Sequence, residues 1–106
     1  MKIDLLNSSD QSVKLALAGR LDLQGQQIFE TELPAFILKD TKDVILDLSE
    51  MDFIASIGMR SFVSLAKKLH EKNGELILCN MQEIVYDTFV TTGLHQILKI
   101  VDSCDF

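Results

Sequence analysis

Between residues 12 and 19 the chain alternates, Ser12-Val13-Lys14-Leu15-Ala16-Leu17-Ala18-Gly19, and residues 2–6 (Lys2-Ile3-Asp4-Leu5-Leu6) alternate more loosely. Successive side chains of a strand point to opposite faces, so Val13, Leu15 and Leu17 are expected to face a core while Ser12 and Lys14 face away. The polar cluster from Asn7 to Gln11 joins the two segments into a β-hairpin with a moderately long loop. The period then changes. Ile28, Phe29, Leu33, Phe36 and Ile37 fall at helical spacing, which predicts a helix over about residues 24–38. Pro34 lies inside it, and a proline there removes one backbone donor and clashes one turn back, so a kink or split is expected near Leu33. Asp22, just ahead of this helix, is placed to cap or flank its start.

Val44-Ile45-Leu46-Asp47-Leu48 is a nearly continuous apolar run after the turn-like residues 39–43, the pattern of a central strand buried on both faces. It leads through residues 49–54 to Asp52-Phe53-Ile54-Ala55-Ser56-Ile57-Gly58-Met59-Arg60, where an apolar strand gives way to a helix. From 57 to 72, Met59, Phe62, Val63, Ala66 and Leu69 form one face, and Arg60, Ser64, Lys67, Lys68 and Glu71 the other. Lys67, Lys68, His70 and Lys72 favour the carboxyl end of that helix, and Asn73-Gly74 supplies its stop. Residues 75–80 form a short strand. A helix over about 82–92 carries Ile84, Val85 and Phe89 and ends at Gly93, and residues 97–101 close the pattern as a last strand. Strands alternating with helices after an initial hairpin predict an α/β fold: a mixed, mostly parallel sheet of four to five strands with three to four packed helices.

Composition narrows the function more than the fold. The 106 residues suit one domain spanning 1–106, and 47% hydrophobic with 25% charged residues is ordinary globular usage. Ten Lys and Arg against sixteen Asp and Glu give a net charge of −6, so nucleic acid is not an expected partner. No apolar run approaches the ~20 residues that span a bilayer, and no signal-peptide core precedes Asn7-Ser8-Ser9-Asp10; a soluble, cytoplasmic protein is expected. Cys79 and Cys104 match neither a CxxC motif nor a zinc site, and both are expected as free thiols, Cys79 in the core and Cys104 in the tail.

Only the junction at Ser56 carries candidate chemistry. A nucleophilic serine needs a base, and His70, fourteen residues along the same helix, would be about 21 Å away. His95 is not placed by the sequence, no GxSxG elbow is present, and the two histidines and scattered glycines suggest neither a metal site nor a phosphate loop. No enzyme activity and no cofactor are expected. A serine at a helix start is most often a cap. It is also a good phosphate acceptor, because the first-turn N–H groups and the helix dipole tolerate an anion. Gly58 either leaves those N–H groups open to close approach or lets the helix pack against a strand; local sequence favours neither.

Four pieces in order, Gly19-Arg20-Leu21-Asp22, then Val44-Ile45-Leu46-Asp47-Leu48-Ser49, then Phe53-Ile54-Ala55-Ser56-Ile57-Gly58-Met59, then Val85, Phe89 and Thr92-Gly93-Leu94, resemble the STAS domain of bacterial anti-sigma factor antagonists. The resemblance covers nearly the whole chain. It implies a small regulatory domain that binds a serine-kinase anti-sigma factor and frees the sigma factor. That kinase would inactivate the domain by phosphorylating Ser56, the match to the serine of the family's D-S-[SA]-G turn, and a PP2C-type phosphatase would reset it. The aspartate of the family's G-x-L-D segment, here Asp22, would lie near the phosphoserine. The implied docking face comprises Asp22, Leu23, Ser56, Ile57, Gly58, Met59 and Arg60; the sequence specifies no oligomeric state, and a monomer is the default expectation.

The chain departs from the family pattern at two positions: Ala55 stands where an aspartate is usual, and Ile57 where serine or alanine is usual. Ala55 removes a carboxylate that could bond the serine hydroxyl, and with it a like charge that would repel a phosphate. Ile57 adds apolar contact area. The alternative implied by the same resemblance is a constitutive STAS scaffold, for example in a lipid-transport ATPase complex, working without phosphorylation.

Overall fold

Ser12–Leu21 forms the long second strand, β2, and the alternation holds along it: Val13, Leu15 and Leu17 are buried. The computed structural model describes residues 1–104. Strand β1 (Lys2–Ser8) pairs antiparallel with β2, with a slip in register between Leu5 and Asn7. Strands β3 (Asp43–Ile54), β4 (Leu76–Cys79) and β5 (Lys99–Val101) then add in parallel, giving the order β1-β2-β3-β4-β5.

Each parallel step needs a crossover, and three helices supply them: α1 (Leu23–Glu32), α2 (Ser56–Glu71) and α3 (Glu83–Thr92). One phenylalanine from each, Phe29, Phe62 and Phe89, joins Leu15, Leu17, Leu46, Leu48 and Leu78 in a single buried cluster, so all three helices cover the same face of the sheet. The rings form a row across the helical layer, with Phe29 edge-on to Phe62 at 5.5 Å and Phe89 stacked on Phe62 at 6.3 Å.

The split expected near Leu33 is present. Helix α1 stops at Glu32, and Leu33–Phe36 continues as one 3-10 turn with Pro34 in its first positions, where its missing N–H breaks no bond. Helix α3 ends at Gly93, whose φ of 79° is the left-handed conformation glycine adopts without strain. The sequence pattern missed a second 3-10 turn, Leu94–Gln96, and its last strand begins two residues late, at Lys99.

Two expectations need correction. The apolar run at 44–48 is buried on both faces only in part: Val44, Leu46 and Leu48 meet the helices, while no helix covers the other face. There Ile45 is buried by a small group that includes Cys79 and Cys104. The two cysteines are also not free thiols. They form a disulfide with Cα atoms 5.5 Å apart, because the segment after β5 returns across the helix-free face, a path that local periodicity does not encode.

Candidate functional site

The site is built where β2 and β3 end. Arg20 is in register with Phe53 and Leu21 with Ile54, and one residue further the Ala55 N–H donates to the Leu21 carbonyl at 2.9 Å. This bond sets the starts of two helices side by side, Asp22 before α1 and Ser56 opening α2. Asp22 is extended (φ −94°, ψ −162°) and caps α1, its Oδ1 accepting from the Gly25 N–H at 2.9 Å. Its other oxygen lies 3.6 Å from Arg20 Nε, and the Arg20 guanidinium stacks 4.2 Å over the Phe53 ring.

The Gly25 N–H holds the Asp22 carboxyl below the usual carboxylate range; desolvation opposes this, and the Arg20 charge adds to the lowering. A depressed folded-state pKa contributes stability that is fully present above the unfolded value of 3.8 and is lost as pH falls through the lower, folded value. Asp22→Asn should therefore narrow the stability difference between pH 6 and pH 3. Urea unfolding of both proteins at the two pH values measures it; equal pH dependence would contradict the linkage.

Helix α2 begins differently. Its N-cap is Ala55 (φ −97°, ψ 166°), which has no side chain able to cap, and its first turn contains no acidic residue. The Ala55 carbonyl accepts from the Gly58 and Met59 N–H groups at 3.0 and 3.1 Å, leaving those of Ser56 and Ile57 without intrahelical acceptors. Ser56 is thus the first helical residue and not the cap that its position suggests. It is exposed, and with Arg60, Thr92 and Leu94 it borders a shallow depression. Such a start favours an anion by both its free donors and its dipole.

The STAS domain profile matches residues 6–106. The chain belongs to the STAS domain family. A relative in Bordetella bronchiseptica, BtrV, provisionally named an anti-sigma factor antagonist, is 31% identical over 98 residues, spanning 92% of this chain and 84% of its own. Among solved structures, the unphosphorylated anti-sigma factor antagonist SpoIIAA superposes with a TM-score of 0.82 at 20% identity, covering 98% of this chain and 90% of that one. The phosphorylated form of the Bacillus protein SpoIIAA superposes with a TM-score of 0.74 at 19% identity, covering 98% and 93%. These structural likenesses establish the shared fold.

Within this STAS domain the residues expected on the docking face separate into two groups. Leu23 (57% exposed), Ser56 and Arg60 are exposed, while Asp22 and Ile57 are half-buried. Gly58 and Met59 are buried, although Met59 also lines the depression beside Ser56. Met59 packs inward in the core, 3% exposed. Gly58 resolves in favour of packing: a Cβ there would lie 2.5 Å from Leu21 Cγ and 3.0 Å from the Leu21 carbonyl oxygen. Gly58→Ala should cost about 1–3 kcal/mol, measured by chemical denaturation, because Leu21 is itself fully buried and has little room to retreat. A loss near zero would mean that the contact relaxes freely.

The sequence reading missed Phe53, which is 37% exposed near the end of β3 and held by Arg20. Alternation could not have found it: Met51 and Ile54 are both buried while Asp52 and Phe53 between them are exposed, in a stretch where the pairing with β2 shifts register between Gly19 and Arg20. His95, which the sequence does not place, lies in the 3-10 turn Leu94–Gln96, with its Nδ1 buried and unpartnered among the described residues. Among those residues no helix is long and apolar enough to cross a membrane, and no cluster of three or more His, Cys, Asp or Glu could hold a metal ion.

Proposed function

We propose that this STAS domain is a cytoplasmic anti-sigma factor antagonist that works without catalysis, binding an anti-sigma factor serine kinase and thereby releasing a sigma factor. The kinase phosphorylates Ser56 to end the interaction, and a PP2C-type phosphatase restores it. One observation carries this reading: Ser56 is exposed at an uncapped, anion-tolerant helix start and borders a depression with Arg60, Thr92 and Leu94. The names of BtrV and SpoIIAA support the role, and the phosphorylated form of SpoIIAA supports the switch.

The docking face is the exposed and half-buried part of the site, Asp22, Leu23, Phe53, Ser56, Ile57 and Arg60. Leu23 and Phe53 supply apolar area, and an aromatic held by arginine is a typical binding anchor. A phosphoryl group on Ser56 adds about −1.5 to −2 charges at the centre of that face. The free protein is monomeric and exchanges between its kinase and its phosphatase.

Incubation of the purified chain with an anti-sigma factor kinase from the same organism, in ADP and in ATP, tests the reading. A stable complex in ADP and a single phosphate on Ser56 in ATP are expected. A complex that forms equally in both nucleotides with no phosphate incorporated would point to the constitutive scaffold instead.

A further inference from the structure

On the helix-free face of the sheet Ile45, Cys79 and Cys104 are buried together, with Ile77 and Val101 packed against them. Cys79 ends β4 and sits in register between Asp47 of β3 and Val101 of β5. After β5 the chain folds back across this face, so that Cys104 reaches Cys79, and the carbonyl oxygen of Cys104 accepts a hydrogen bond from the Lys14 ammonium on β2. The return segment is therefore a strap that runs from the edge of the sheet inward over Ile45.

We propose that Cys79 and Cys104 form a reversible dithiol–disulfide site, whose oxidation fastens this strap and whose reduction frees it to uncover Ile45, Ile77 and Val101. The geometry suits the oxidised form: a Cα separation of 5.5 Å lies within the range that a disulfide spans without moving the backbone. The chain contains no other cysteine, so within one molecule only these two end states exist.

The local architecture makes the bond reachable without global unfolding. Both cysteines are buried, at 0% and 2% exposure, so a small thiol reaches the sulfurs only when the strap lifts. The strap follows an edge strand of three residues, and its other anchor is the Lys14 bond, so lifting it leaves the Phe29–Phe62–Phe89 core intact. The bond spans a sequence separation of 25, and the loop it closes runs from the end of β4 through α3 to β5, so the cross-link restrains β5 when the strap is open.

The chemistry is ordinary exchange with a low-molecular-weight disulfide. The Cys104 thiolate attacks the small disulfide, forming a mixed disulfide and expelling one small thiolate. The Cys79 thiolate then attacks the Cys104 sulfur and expels the second. Two protein thiols lose two protons and two electrons, and the small disulfide becomes two thiols. A dithiol such as dithiothreitol reverses the sequence.

The test uses the full chain equilibrated with oxidised glutathione or with dithiothreitol under native conditions, followed by thiol alkylation in denaturant, intact mass and amide hydrogen exchange. The oxidised monomer should take up no alkylating agent and the reduced one two equivalents; before alkylation the oxidised form should be about two mass units lighter. Amides of β5 should exchange about tenfold faster or more after reduction, while those of the β2–β3 pair stay unchanged. Cys104→Ser should show the faster β5 exchange under both conditions, with the core amides still protected. Two alkylatable thiols after glutathione treatment, disulfide-linked dimers in place of the internal bond, reduction only at denaturant levels that unfold the whole domain, or identical β5 exchange in both forms would each overturn the proposal.

Discussion

Ser56→Asp should weaken binding to the anti-sigma factor by roughly tenfold to a thousandfold, while Ser56→Ala should bind as tightly as the unmodified chain and stay bound when the kinase is active. The physical basis is placement. Ser56 sits in the first turn of α2, exposed beside Arg60, Thr92 and Leu94. Docking would strip water from this position, and an anion taken out of water without a matched cation costs several kcal/mol. The same anion in the free protein meets the unpaired N–H groups of the uncapped helix start, so Ser56→Asp should fold as well as the parent. Isothermal titration with the purified kinase domain measures the affinities, and thermal unfolding of the variants checks the fold. Equal affinity of Ser56→Asp and Ser56→Ala would remove Ser56 from the interface.

The largest effect on stability is expected from Phe62→Ala, a loss of about 3–5 kcal/mol. Phe62 is fully buried and packs against the rings of both Phe29 and Phe89, so it ties all three helices together. Removing it opens a cavity at the centre of the layer and strips two aromatic contacts at once. A domain of this size has on the order of 5–15 kcal/mol to lose, so the variant should be marginal at physiological temperature. Phe62→Leu, which keeps most of the volume, should lose less. Urea denaturation midpoints decide the matter. A Phe62→Ala protein within about 1 kcal/mol of the parent would mean that the helical layer closes over the gap.

Much of the fold was legible because its elements follow their own periods. The β2 alternation, the apolar stripe of α2, Pro34 ending α1 and Gly93 ending α3 are all local signals, and each appears in place. Long-range closure was not legible. Nothing near Cys104 announces that the chain turns back over β4 and β3, so the two cysteines read as unrelated thiols although they are partners. The second face of β3 was misjudged for the same reason: an apolar run says that a strand is covered without saying by what.

At the site, sequence order brought out the loop ends but not which side chains project from them. Gly58 and Met59 stand one and two residues beyond Ile57, yet the helix turns both toward the core, where Leu21 closes over Gly58. Phe53 was passed over as part of an apolar strand, although the register that pairs it with Arg20 turns it outward. Ser56 itself looked like a cap, and only the extended Ala55 before it, with no capping side chain, makes Ser56 a residue of the helix proper.

Ser56 as a reversible acceptor is the central claim, and intact-mass measurement with fragment mapping on the protein isolated from its native cells tests it most directly. One added phosphate, located on Ser56 and varying in occupancy with growth condition, is the predicted result. A protein unmodified at Ser56 under every condition, while still found in complex with its anti-sigma factor, would contradict it.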